Sequence, residues 1–459
     1  MSLVFKDRRV LIVGLGKTGL ALVSFALKEG ARVRISDQQA PDRIKALTAP
    51  FTEAGHSLIW EGGGHSPEFF TEADLILVSP GIPLDLPALE AARTKGIPIY
   101  GEVEVFSRYC TTPVVAVTGT NGKTTTTALL NEMLVEGGIR TYLGGNIGRP
   151  LMEYVLEGEQ KDLVVAEISS FQLDTTESFT PKVGLLLNIT PDHLDRYPSF
   201  EAYAASKARL FRNQRADDAA VINRDDPCCL EIGRRLKGPV YFFSRHERCV
   251  PGAFLEGNRI RLFLPHRPEE VYDLTGFLLP GTHNQENALA AVLGARLLNA
   301  DPAAIRRVLT GFKGFGHRLE WVAEVDGVAF YDDSKATNVG AVVKALEGFD
   351  QPVILIAGGR DKGGDYYPLE GLIREKVKAL ILIGEAKERI AGQLGTLTLT
   401  ETAESLEEAV LRAYALARPG DAVLLSPACS SFDMFRDYGH RGEVFQRAVK
   451  ELKGKADRV

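Results

Sequence analysis

The run Val114 to Thr127, VVAVTGTNGKTTTT, holds the residue types that grip a nucleotide triphosphate. Five residues with the composition of a buried strand lead into Gly119-Thr120-Asn121-Gly122, a loop too rich in glycine for regular structure. Lys123, Thr124 and Thr125 follow and run into a helical stretch. In such an arrangement backbone N–H groups and the helix N-terminus face the phosphates, the lysine brings a fixed positive charge, and the Thr124 hydroxyl is placed to bind Mg²⁺. The spacing is a variant of G-x-x-x-x-G-K-[ST], because the first glycine of that pattern falls at Val117. Glu167 closes the apolar run Leu163 to Ala166. A carboxylate at a strand end beside a phosphate loop suits a hard cation, and a helix-cap role is its plain alternative. The polar loop Asn188 to Pro198 contains His193, a metal ligand or acid–base group if it acts at all. Lys207 lies on a helix expected over Ser199 to Arg212 and reads, from spacing alone, as a solvated surface group.

Other loops carry weaker signals. Gly14-Leu15-Gly16-Lys17-Thr18-Gly19 fits the dinucleotide fingerprint, with Asp37 where a ribose-binding acid would sit. Taken alone it favours a nicotinamide dehydrogenase. A UDP-sugar presents the same pyrophosphate to a helix N-terminus, and beside a triphosphate loop the nucleotide-linked substrate is the better reading. Ser79-Pro80-Gly81-Ile82-Pro83 follows another apolar run. Near the C-terminus three strand-end loops, Tyr331 to Asn338, Gly358 to Gly364 and Ser426 to Asp433, are dense in charge and hydroxyls. Ligands bind at such ends of open parallel sheets, so these loops suit an amino-acid or nucleotide site. Asn284 and Asn287 are three apart on a helix expected over His283 to Leu298 and share a face.

These residues need a scaffold, and the pattern supplies one. Short β-rich apolar runs alternate with helical stretches throughout, which predicts parallel sheets covered by helices. Strands are expected at Arg9–Val13, Arg32–Ser36, Asp74–Val78, Val114–Thr118, Leu163–Ala166, Val183–Leu187, Val328–Tyr331, Val353–Ala357, Ala379–Ile383 and Ala422–Leu425. A helix is expected over Leu20 to Glu29. At 459 residues the chain is long enough for two to four domains. A net charge of −6 argues against nonspecific nucleic-acid binding, and no apolar run approaches transmembrane length. Five cysteines without a C-x-x-C fit a reduced, cytoplasmic setting.

Taken together, GTNGKTT at Gly119, GGN at Gly144 to Asn146, HNQENALAA at His283, Gly316-His317-Arg318, DDSKATN at Asp332 and GGRDKGG at Gly358 resemble the Mur ligase family, over essentially the whole chain. SPGIP at Ser79, EISSFQLDTT at Glu167, DHLDRYPS at Asp192 and LSPACSSFDMF at Leu425 are similar to its D-glutamate-adding branch. The resemblance implies an α/β protein of three domains, each with a mainly parallel sheet flanked by helices. These are a Rossmann-like UDP-sugar domain over 1–101, a central P-loop ATPase over 102–314, and a Rossmann-like domain over 315–459 completing the amino-acid and adenine sites. It implies a cytoplasmic monomer that joins D-glutamate to UDP-N-acetylmuramoyl-L-alanine with ATP as co-substrate and Mg²⁺ at two sites.

The same resemblance assigns roles. Thr124 and Glu167 match ligands of one Mg²⁺. His193 and Lys207, the latter carbamylated by CO₂, match ligands of the second, and with Lys123 they form the catalytic set. Residues Gly119, Thr120, Asn121, Gly122, Lys123, Thr124 and Thr125, with Asn284, Asn287, Arg318 and Asp333, are expected around ATP. Gly14, Leu15, Lys17, Thr18, Gly19, Asp37, Ser79, Pro80, Gly81 and Asn146 are expected around the UDP-sugar. Lys335, Thr337, Lys362, Ser431, Phe432 and Tyr438 are expected around D-glutamate. Two stretches depart from the branch. Gln38-Gln39 stands where relatives often have Thr-Arg, and Gly359 to Lys362 follows the form of the wider family. The competing readings are another amide ligase of this architecture, such as a different Mur ligase or folylpolyglutamate synthase, and a nicotinamide dehydrogenase.

Overall fold

Runs without polar alternation, such as VVAVT at Val114–Thr118 and VILIAG at Val353–Gly358, are buried along their whole length, as strands covered on both faces must be. The computed structural model describes residues 3–193, 196–314, 316–361 and 365–456. Its first sheet is formed by β1 (Arg9–Val13), β2 (Arg32–Asp37), β3 (Ile59–Gly62), β4 (Leu75–Val78) and β5 (Ile99–Gly101). The strands are parallel in the order β3-β2-β1-β4-β5.

The second sheet contains β6 (Val114–Thr118), β7 (Thr141–Gly145), β8 (Leu163–Glu167), β9 (Val183–Leu186), β10 (Ala219–Asn223), β11 (Val240–Ser244), β12 (Gly252–Glu256), β13 (Arg259–Phe263) and β14 (Glu270–Asp273). Their order is β14-β13-β12-β11-β10-β9-β6-β8-β7. The third contains β15 (Glu320–Val325), β16 (Val328–Asp332), β17 (Val353–Gly358), β18 (Val377–Ile383), β19 (Leu399–Thr402) and β20 (Ala422–Leu425), in the order β15-β16-β20-β17-β18-β19.

Every strand expected from the sequence is present, within two residues at each end. The sheets are mainly parallel, as expected, with β12 pairing β13 and β15 pairing β16 antiparallel. The segment from β12 to β14 was not anticipated, because it continues a parallel sheet with short strands carrying charge. The first helix begins at Lys17 and not at Leu20, so Gly19 lies inside it. A Cβ at Gly19 would come within 1.9 Å of the Gly14 carbonyl oxygen, so a side chain is excluded where helix and turn meet. The helix over Phe200–Ala208 is capped by Ser199, whose Oγ accepts from the Ala202 N–H at 3.2 Å, and passes into a 3₁₀ turn at Arg209–Phe211.

The chain separates into two compact units, Met1–Tyr272 with Asn287–Ile305, and Asp273–Glu286 with Arg306–Val459. The first contains the five- and nine-stranded sheets and the second contains the six-stranded sheet. Among the described residues no helix is long and apolar enough to cross a membrane.

Candidate active site

In the first unit β6 delivers the chain to the loop Gly119–Gly122. Gly122 adopts φ +79°, and a Cβ there would lie 2.2 Å from Asn287 Oδ1, so both backbone and space call for glycine. The helix Lys123–Glu136 starts at this residue with no side chain capping its first N–H groups. Those amides are the kind of donors an anion takes up. Asn188, at the end of β9, braces the loop from the side. Its Oδ1 accepts from Asn121 N–H at 2.8 Å, its Nδ2 donates to Asn121 O at 3.1 Å, and its carbonyl accepts from Thr120 N–H at 2.9 Å.

Two lysines converge on this loop. Lys123 Nζ donates to the carbonyls of Gly119 at 3.0 Å and Thr120 at 2.8 Å. Lys207 Nζ donates to the same Gly119 carbonyl at 2.8 Å and lies 4.5 Å from the centre of the Tyr203 ring. The surface role that spacing assigned to Lys207 is wrong, for the residue is 2% exposed. The helix that carries it packs against the loop, and burial outweighs the usual preference of lysine for water. Burial, and then the positive charge of Lys123, push its amine down to about 7. Tyr203 holds the loop as well, its hydroxyl 3.1 Å from Thr120 Oγ1.

Beside the lysines stands an oxygen cluster. Thr124 Oγ1 donates to Glu167 Oε2 at 2.8 Å, and Asn146 Nδ2 donates to Glu167 Oε1 at 2.7 Å. Glu167 therefore caps no helix. Its carboxylate is shared by two expected site residues, and this hydroxyl–carboxylate pair fits a hard cation. Asn287 is buried, and its Oδ1 accepts from Thr126 Oγ1 at 3.2 Å, while Thr125 is half-buried at the outer side of the helix. His193 is half-exposed with φ +54°, its ring 4.8 Å from that of Phe171 and its Nε2 3.5 Å from Asp192 Oδ2.

The loop after β1 is built differently. Asp37 does not stand open for a ribose. Its Oδ2 accepts from Leu15 N–H at 2.5 Å and its Oδ1 from Gln39 N–H at 2.8 Å, so the carboxylate fills the turn. Ser79 closes the other side, its Oγ donating to Gly14 O at 2.8 Å. Lys17 is exposed and Thr18 half-buried. Arg196 donates to the carbonyls of Gly81 at 3.2 Å and Ile82 at 2.9 Å while lying over the Phe171 ring, which fixes the segment containing Pro80.

In the second unit the loops after β16 and β20 meet. Buried Asp333 accepts from Ser426 Oγ at 2.7 Å and from Leu319 N–H at 3.2 Å, and burial holds its carboxyl up at about 7. Arg318 is exposed and near enough to counter that shift in part. Asn284 is buried and donates to Pro280 O at 2.6 Å. Lys335 Nζ lies 5.5 Å from the centre of the Tyr438 ring, and Thr337 N–H donates to Lys335 O at 2.9 Å. Ser431 is buried, whereas Phe432 is 63% exposed. Lys362 lies outside the described residues.

Sequence reasoning gave no role to three residues that tie these loops together. The fully buried Arg441 donates to Ser334 Oγ and Ser334 O at 2.9 Å each and to Cys429 O at 3.1 Å, linking the two loops. His317 and Asp332 form a hydrogen-bonded pair at 2.7 Å. Gly-His-Arg and Asp-Asp-Ser-Lys were both visible as motifs, but nothing in a linear reading says that their members touch.

Family models match three successive segments. These are the MurD-like N-terminal domain of Mur ligases over residues 8–101, the Mur ligase middle domain over 117–295, and the Mur ligase glutamate ligase domain over 317–429. A UDP-N-acetylmuramoylalanine–D-glutamate ligase of Geotalea daltonii is 46% identical over 449 residues, 98% of each chain. Its counterpart from Desulfosudis oleivorans is 47% identical, covering 98% of this chain and 97% of the relative. The solved UDP-N-acetylmuramate-alanine ligase of Thermotoga maritima matches with a TM-score of 0.55 at 20% identity, covering 97% of this chain and all of that one. MurF ligase from the same organism matches with a TM-score of 0.55 at 17% identity, over 98% of this chain and 100% of that one. Identities this low speak for the fold alone. The relatives at 46–47% identity over almost the full length go further: this chain belongs to the Mur ligase family.

Proposed function

We propose that this chain is the ATP-dependent ligase that adds D-glutamate to UDP-N-acetylmuramoyl-L-alanine during cytoplasmic synthesis of the peptidoglycan precursor, acting as a monomer. The observation that carries the ATP-using chemistry is the convergence of Lys123 and Lys207 on Gly119 beside the Thr124–Glu167 pair. The 46–47% identity to D-glutamate ligases over almost the full length of both chains carries the choice of substrates. Residues 1–101 hold the UDP-sugar, 102–314 the ATP, and 315–459 complete the amino-acid and adenine sites.

A carboxylate does not condense with an amine in water, because oxide is too poor a leaving group. The alanyl carboxylate attacks the γ-phosphorus of ATP, ADP departs, and an acyl phosphate forms. The amine of D-glutamate then attacks the carbonyl carbon, and phosphate leaves. The protein contributes positioning and charge. The uncapped N–H groups at Lys123 and its ammonium receive the phosphates as two anions are brought together. Asn188 and Tyr203 hold the loop in shape.

Mg²⁺ would be held by Thr124 and Glu167 at one site, and by His193 and carbamylated Lys207 at a second. There it would supply positive charge to the phosphoryl oxygens. A buried amine with little preference for its proton suits reaction with CO₂, and the resulting carbamate offers oxygen where an ammonium would repel the cation. In this reading Asn287 of the first unit and Asn284, Arg318 and Asp333 of the second serve ATP, and Lys335, Thr337, Lys362, Ser431, Phe432 and Tyr438 receive D-glutamate. The test is ADP release over a grid of UDP-muramyl precursors and amino acids. Release that requires UDP-N-acetylmuramoyl-L-alanine and D-glutamate together is expected, and ATP left untouched by that pair would end the proposal.

A further inference from the structure

The amine of D-glutamate must lose a proton before it can attack, and none of the roles assigned above accepts it. The second unit contains a histidine arranged for this. His317 is held through its backbone and through Nδ1. Its N–H donates to Glu320 Oε2 at 2.9 Å, and its carbonyl accepts from Lys335 N–H at 2.9 Å. Its backbone is held at φ +60°, a strained region for a residue with a Cβ. Its Nδ1 meets Asp332 Oδ2 at 2.7 Å. A carboxylate only accepts, so Nδ1 carries the proton and Nε2 is left with a lone pair when the ring is neutral. Among the described residues nothing hydrogen-bonds to Nε2.

The support behind the histidine is a built one. Asp332 is fully buried and also accepts from Gln446 Nε2 at 2.9 Å and Ser334 N–H at 2.9 Å. Gln446 Nε2 donates to Glu320 Oε2 as well, at 2.8 Å. The Gln446 amide thus donates to both carboxylates and ties Glu320 to Asp332. Gly442 leaves the room required, for a Cβ there would lie 2.0 Å from His317 Nδ1 and 2.6 Å from Asp332 Oδ2. The opposite edge of the ring lies toward Gly439 and Tyr438, the latter assigned to D-glutamate in the ligase reading. Nε2 lies 3.9 Å from where a Gly439 Cβ would stand, and the ring is 6.3 Å from that of Tyr438.

We propose that His317, oriented by Asp332, is the proton acceptor for the amine of D-glutamate, an inference that rests on the ligase reading above. The ammonium gives one proton to Nε2, and the freed lone pair forms the C–N bond to the acyl carbon. The C–O bond to phosphate breaks and its electrons leave with phosphate, which takes up the second nitrogen proton. The groups facing the ring are Asp332, Glu320 and Glu443, with Lys335 beside it. The Asp332 contact raises the imidazole above its ordinary range, opposed by burial. The amide-forming step should therefore slow as pH falls through that raised value, since only neutral His317 accepts.

The test compares two nucleophiles on the full-length enzyme, D-glutamate and hydroxylamine, the second being already unprotonated at neutral pH. In H317Q, amide formation should fall about 100-fold, the usual worth of a general base, while hydroxamate formation falls no more than about threefold. Added imidazole should restore part of the amide rate, and D332N should move the acid limb of the wild-type amide rate to lower pH. Equal losses with both nucleophiles, or no loss with either, would overturn the assignment. A wild-type enzyme that forms no hydroxamate would defeat the acyl-phosphate reading itself, and so separates the two failures.

Discussion

The first unit contains two glycine-rich loops, each leading from a buried strand into a helix, and they differ in the charge at their centre. The loop after β6 closes around Lys123 and Lys207 and leaves the first amides of its helix uncapped. The loop after β1 closes around Asp37, whose carboxylate takes the Leu15 amide. The glycines do the same steric work in both. Gly122 and Gly19 each stand where a Cβ would meet an oxygen at about 2 Å. Glycine spacing thus specifies a turn, and the charge placed inside the turn decides which ligand it can face. In the ligase reading the loop after β1 faces the UDP-sugar and the loop after β6 faces ATP, and the helices after both start without a side-chain cap.

The strongest test of this contrast removes the cation. Lys123→Ala should lower ADP release about 10³-fold or more, measured with ATP and both reactants, if its ammonium receives the phosphates as the ligase reading requires. Retention of activity within tenfold would break the contrast. Lys207→Ala should lower activity on the order of 10²-fold, with partial recovery from added short carboxylates that stand in for a carbamate. No recovery in a folded variant would remove the carbamate role while leaving the loop geometry untouched.

Substitutions at the braces sharpen the comparison by crossing it. Asn188→Ala deletes two hydrogen bonds to Asn121 and should raise the KM for ATP about tenfold with the precursor KM unchanged. Asp37→Asn should raise the precursor KM a few-fold and leave that for ATP alone. The reverse pattern would reassign the two loops.

A separate effect is on stability. Lys207 in the folded protein releases its proton near 7, against 10.5 for an ordinary lysine. Between those values the unfolded chain binds more protons than the folded one, so stability rises with pH across the window and is lost as pH falls toward 7. In CO₂-free buffer, urea midpoints at about pH 7.5 and about pH 9.5 should differ for the wild type and converge for Lys207→Met. Equal slopes in the two proteins would place the amine in water.

Much of the scaffold was legible because fully buried parallel strands announce themselves as unbroken apolar runs, as in VVAVT and VILIAG. The strands β12 to β14 were not, since GAFLE, RIRLF and EVYD mix charge with apolar residues. The phosphate loop could be read from local spacing. The environment of Lys207 could not, because nothing within its helix reveals that Gly119, 88 residues earlier, lies against the amine. His317 and Asp332 were each inside a visible motif, and their pairing depends on the antiparallel registry of β15 with β16.

The nine-stranded sheet has one further consequence, for behaviour in concentrated solution. A long flat sheet margin invites another copy of the chain to add itself, the first step toward fibrous precipitate. Here one margin is β14, only four residues long, with Glu270 and Asp273 at its ends. Glu270 is pinned by Arg296 at 2.7 Å, and the next strand carries Arg261 paired with Glu256 and Glu269. Short length and fixed charge make this border an unrewarding template for recruitment.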